Sequence, residues 1–162
     1  MTLDVIRERM AEFLQQAGLD AVCAWPEAAR VRRNAAVAAV SLRDFQGGPG
    51  GFQDYLGERY NQESGNWEEL YGKKARIVFG LDLYAPTAAA VQEAVDTLSD
   101  ALHEGAPDGL RVMELSCGET KYDQEAELYR CTAETVCEAY LYAVASEGGF
   151  FLDFEIRGSR TI

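Results

Sequence analysis

The chain has 162 residues, about the length of one ordinary domain, with 15 Lys and Arg against 27 Asp and Glu and a net charge of −12. So acidic a surface repels phosphates, which argues against nucleic-acid binding and against docking on an anionic membrane face. With 48% hydrophobic residues the chain can bury a real core, which excludes wholesale disorder.

In chain order, residues 3–17 read as an amphipathic helix on the stripe Ile6, Met10, Phe13, Leu14 and Ala17. Thr2 can cap its start and Gly18 can supply the left-handed stop. Asp20–Trp25 is a short extended candidate ended by Pro26, and residues 27–33 favour no single element. Ala36–Phe45 reads as a strand, and the run Gln46 to Gly51 as a flexible loop or hairpin tip. Phe52–Tyr60 and Trp67–Tyr71 form aromatic-rich arms around the polar turn 61–66, a hairpin-like excursion.

Ala75–Ala85 alternates most clearly, with Ala75, Ile77, Phe79, Leu81, Leu83 and Ala85 on one face. Pro86 ends it. Thr87 then caps a helix over 88–104, which Gly105 and Pro107 terminate. Leu110–Cys117 reads as a strand and 118–124 as a polar loop. Glu127–Val144 is a long extended run; eighteen residues would reach roughly 60 Å, so it must bend, bulge or stick out. Residues 147–149 make a turn before a last strand that ends at Arg157.

This order predicts a single α+β domain over 1–162: a mostly antiparallel or mixed β-sheet with two helices packed on one face and an extended hairpin excursion. No internal repeat, low-complexity tract or linker stands out. The charged N-terminus carries no signal-peptide pattern, and no apolar run approaches the roughly 20 residues of a transmembrane helix.

Motifs for catalysis or cofactors are missing from this reading. Cys23, Cys117, Cys131 and Cys137 form no C-x-x-C pair, and the single histidine, His103, is remote in sequence, so no zinc site is expected. Cys131 and Cys137, six apart on one strand, are too distant for a disulfide; the cysteines read as small buried hydrophobes of a reduced cytosolic protein. The glycines at 47–51 lack the Gly-Lys-Ser/Thr ending of a phosphate loop. Asp123, Glu125 and Glu127 lack the glycine and distal Glu of a calcium loop. No serine has a G-x-S-x-G context, and acid pairs such as Glu68 with Glu69 or Glu134 with Glu138 read as solvated face. No catalytic, cofactor or metal residue is therefore named, and the chain is not expected to be an enzyme. The aromatic set Phe52, Tyr55, Tyr60, Trp67 and Tyr71 fits either hairpin packing or an interface with another chain, because Tyr and Trp concentrate in interface cores.

The segment Phe52-Gln53-Asp54-Tyr55-Leu56-Gly57-Glu58-Arg59-Tyr60-Asn61, continuing through Trp67-Glu68-Glu69-Leu70-Tyr71-Gly72-Lys73-Lys74, carries a resemblance. With Phe79-Gly80-Leu81-Asp82-Leu83-Tyr84-Ala85-Pro86 and the following helix, it resembles small tail proteins of prophages of Gram-positive gut bacteria, in element order the tail terminators. The resemblance spans most of 36–157 and implies a structural subunit that forms a homo-oligomeric ring, commonly a hexamer. Such a ring caps the tail tube, stops its polymerisation and meets head and neck proteins. The implied location is the virion tail, with assembly in the bacterial cytoplasm. Another neck, minor tail or baseplate role, an unrelated binding domain and a small acidic hydrolase are the alternatives.

Overall fold

The computed structural model describes residues 3–23, 35–49, 55–145 and 155–157. Helix α1 (Leu3–Gln16) buries Ile6, Met10, Ala11 and Leu14, and Gly18 at φ +93° makes the expected left-handed stop. Strand β1 (Asp20–Val22) follows, then β2 (Val37–Pro49), β3 (Tyr55–Asn61) and β4 (Asn66–Ala85). Helix α2 (Ala88–Glu104) starts at Thr87, whose side chain accepts from the Ala90 amide, and buries Val91, Ala94, Leu98 and Leu102. Strands β5 (Arg111–Asp123), β6 (Leu128–Ala145) and β7 (Glu155–Arg157) are the remaining elements among the described residues.

All seven strands share one mixed sheet, in the order β1-β2-β4-β6-β5; β3 pairs with β4 and β7 with β6. Only β1 and β2 run parallel among these pairs. Both helices pack on one face, against the odd-numbered residues of β4 and β6: Ile77, Phe79, Leu81, Leu83, Cys131, Ala133, Cys137 and Ala139 are all within 1% of full burial. The α+β architecture read from the sequence is therefore the one observed. Among these buried side chains Thr135 is the polar one, and its hydroxyl donates to the Glu114 carbonyl at 2.7 Å.

Several boundaries differ from expectation. Gln46–Pro49 is strand rather than loop, paired with Lys73–Arg76. Gly47 and Gly48 lose little there, because the ladder is supplied by the long β4 beside them. Residues 118–123 also continue a strand; a bulge between Cys117 and Thr120 absorbs one extra residue and keeps β5 on β6. The long run of β6 does not bulge against β4: its register with β4 is unbroken from Tyr129 to Ala145. The irregularities fall elsewhere in the sheet, at Leu42/Asp44 in β2 against β4 and twice in β5 against β6. Residues 150–154 of the expected last strand and Trp25–Arg33 lie outside the described residues.

The sheet thus outruns its helices. Among the described side chains the helix-covered core reaches no further along β4 than Ala75 and no further along β6 than Ala139. From Asn66 to Lys74, β4 continues for nine residues, about 30 Å at strand spacing, with β3 on one edge and β6 on the other. Along this arm the burial inverts. Trp67 and Glu69, which share the parity of Ile77, are exposed, whereas Leu70 (2% exposed) and Gly72 on the reverse face are buried. The exposed pair Lys73–Lys74 marks the switch.

Candidate interaction site

The aromatic residues singled out from the sequence gather on this arm, in part. Tyr60 and Trp67 stand opposite each other across the β3–β4 hairpin, with ring centroids 5.5 Å apart in an edge-to-face pair. Tyr60 is 50% and Trp67 65% exposed, an unusual cost for a pair this large unless another surface covers it. Tyr71 is half-buried and its hydroxyl donates to Glu69 at 2.7 Å. Tyr55 pairs with Tyr71 in backbone register. Phe52 lies outside the described residues.

The hairpin is stiffened from within. Arg59 pairs with Glu68 at 3.0 Å, and the Asn61 side-chain amide donates to the same carboxylate at 2.7 Å. At the turn, the Asn61 side-chain oxygen accepts from the Glu63 and Ser64 amides at 2.9 and 3.2 Å, and Gly65 takes φ +72°. A rigid tip holds its aromatic pair at little entropic cost on binding.

The β5–β6 hairpin, at the other end of the sheet, repeats this build. Asp123 accepts from the Glu125 and Ala126 amides at 3.0 and 3.3 Å, Glu127 takes φ 55°, and Tyr122 and Tyr129 pair edge to face at 5.2 Å. The two eight-residue stretches align as Tyr60-Asn61-Gln62-Glu63-Ser64-Gly65-Asn66-Trp67 and Tyr122-Asp123-Gln124-Glu125-Ala126-Glu127-Leu128-Tyr129. A short internal repeat therefore exists, contrary to the sequence reading. Its signal was the spacing of the aromatics around Asx-Gln-Glu. It also explains the acids at 123–127: the first serves the turn. Among the described residues no group of three or more His, Cys, Asp or Glu side chains is placed to hold a metal.

The open face of the sheet, away from the helices, carries a paired polar network. Asp82 bridges Arg43 at 2.9 Å and Arg130 at 3.0 Å; Arg43 also reaches Glu134 at 3.1 Å. The bulge at Leu42/Asp44 puts Arg43 over Gly80, where an added Cβ would meet Arg43 Nε and Ser41 Oγ at 2.5 Å each. Glycine at 80 is thus the seat of this ion-pair network. Arg130 also lies 5.6 Å from the Tyr84 ring centre.

The cysteines divide. Cys131 and Cys137 are buried, but Cys117 is exposed on the edge strand and Cys23 half-exposed, so the reading of four buried thiols holds for two. Burial pushes the Cys137 thiol up to about 12. Exposed His103 stands in the last turn of α2. Glu68 and Glu69 fall on opposite faces of β4, with Glu68 engaged by Arg59 and Asn61. A shallow, mixed concavity of about 460 Å³ beside the β5–β6 turn is lined by Lys121, Tyr122, Asp123 and Arg130 among others. Among the described residues no helix is long and apolar enough to cross a membrane. No protein-family model and no curated protein matches the chain.

Proposed function

We propose that this chain is a structural subunit of a phage tail, a terminator that closes the tail tube as a ring and stops its polymerisation. The observation that carries the reading is the arm: a sheet extended about 30 Å beyond its helix layer, ending in an aromatic pair left open on a stiffened hairpin. A lone subunit gains nothing from that exposure, whereas a neighbouring chain that covers Tyr60 and Trp67 gains an anchor of the residue types that dominate interface energetics. The resemblance of residues 36–157 to tail terminators supplies the kind of neighbour: further copies, the tail tube and neck proteins. The net charge of −12 suits a ring through which DNA passes without adhering.

The test is tail assembly with the protein omitted, followed by imaging of tail length. The reading predicts tails that overrun their normal length and vary widely. Tails of normal, uniform length would sink it.

A further inference from the structure

We infer that α2 of one copy docks across the open sheet face of the next, on the cations that surround Glu138. The inference rests on the ring reading above for its partner, a second copy of this chain, and adds which surfaces meet.

The sheet supplies one half. Glu138 on β6 stands between Arg76 on β4 and Arg111 on β5 in register, and Lys74 reaches it at 2.9 Å. Three cations therefore stand around one carboxylate, of which Lys74 is the one paired with it, on a chain of net −12. Arg76 and Arg111 are exposed and make no ion pair among the described residues.

Helix α2 supplies the other half. Glu93, Asp96, Asp100 and Glu104 are exposed and fall at steps of three and four, one ridge along the helix, and residues 88–104 contain no Lys or Arg. Like charges at this spacing repel, and Asp100 and Glu104 sit toward the C-terminal end, where the helix dipole disfavours anions. The ridge does not serve the helix itself. None of the four carboxylates has an ion-pair partner among the described residues.

The spacings agree. Arg76 and Arg111 are two strands apart, about 9.6 Å at normal strand spacing. Glu93 and Asp100 are seven residues apart on α2, about 10.5 Å at 1.5 Å per residue. The patch and the ridge lie on opposite layers of the subunit, so the contact is head to tail, the kind that closes into rings.

Charge reversal in pairs tests this by sedimentation of the full chain, with circular dichroism as the folding control. The wild type should associate at low salt and separate as salt rises. Arg76→Glu with Arg111→Glu, and separately Glu93→Lys with Asp100→Lys, should each weaken association about tenfold or more. An equimolar mixture of the two variants should recover it, since every sheet then meets a helix of opposite sign. One chain carrying all four changes should recover it alone. Association unaffected by either reversal, or folded variants that fail to recover on mixing, overturns this contact and leaves the ring reading to the tail-length assay. A chain that stays monomeric, or arginines that instead retain a DNA duplex, overturns it as well.

Discussion

The two hairpin tips carry the same eight-residue design in opposite surroundings. At the β5–β6 tip, Ala126 and Leu128 are 5% exposed and Tyr129 packs against the helix-covered core. At the β3–β4 tip, residues 62–67 are all exposed and no described helix lies beneath them. Turn chemistry and aromatic pairing are therefore not what separates the two ends. One end is anchored to the subunit's own core, and the other is built to the same stiffness with its aromatic pair exposed and no described helix beneath it. That contrast is the basis for reading the arm as a contact for another chain.

The contrast breaks most severely at Leu128. Leu128→Ala should destabilise folding by about 2–5 kcal/mol, measured by denaturant unfolding, because it empties a buried site under the anchored tip. The helix-covered core in the middle of the sheet should also respond to alkali. The folded Cys137 thiol is held at about 12 against 9.0 for a free one, so the unfolded chain ionises first. Its contribution is whole below pH 9 and is lost as pH rises toward 12, about 1.4 kcal/mol per unit. The stability advantage of wild type over Cys137→Ala should shrink accordingly, and a constant difference would contradict the burial of that thiol.

Smaller effects sharpen the comparison at the turns. Gly65→Ala should cost about 1 kcal/mol, since φ +72° is strained for any side chain. Glu127→Gly, at φ 55°, should be neutral or stabilise by up to about 1 kcal/mol in thermal unfolding. Opposite signs at matching positions would establish that the two turns share one geometry. Smallest of all, Trp67→Ala should change stability by less than about 1.5 kcal/mol, the scale of an exposed aromatic pair.

Much of this fold was legible in residue order. The alternation of Ala75–Ala85 and the stripes of both helices reappear as the core, and Gly18 and Thr87 act as the stop and cap expected of them. What local pattern could not show was decided by neighbours. Gly47–Pro49 has poor strand propensity but lies beside a β4 strand long enough to pair it. Residues 118–119 break the alternation because they are a bulge, not a loop. The burial switch at Lys73–Lys74 leaves no trace in strand periodicity, since both faces of β4 carry apolar residues there. Of the candidate interface, Tyr60 and Trp67 came together as a pair, whereas Tyr71 is engaged with Glu69 on its own strand. The basic surround of Glu138 assembles from three strands distant in sequence and no single segment announces it.

The most direct test of the arm is tail assembly supplied with a Tyr60→Ala, Trp67→Ala double variant, scored by tail length on protein that melts like wild type. The account predicts overlong, variable tails despite an intact fold. Tails terminated at normal, uniform length by that variant would contradict it.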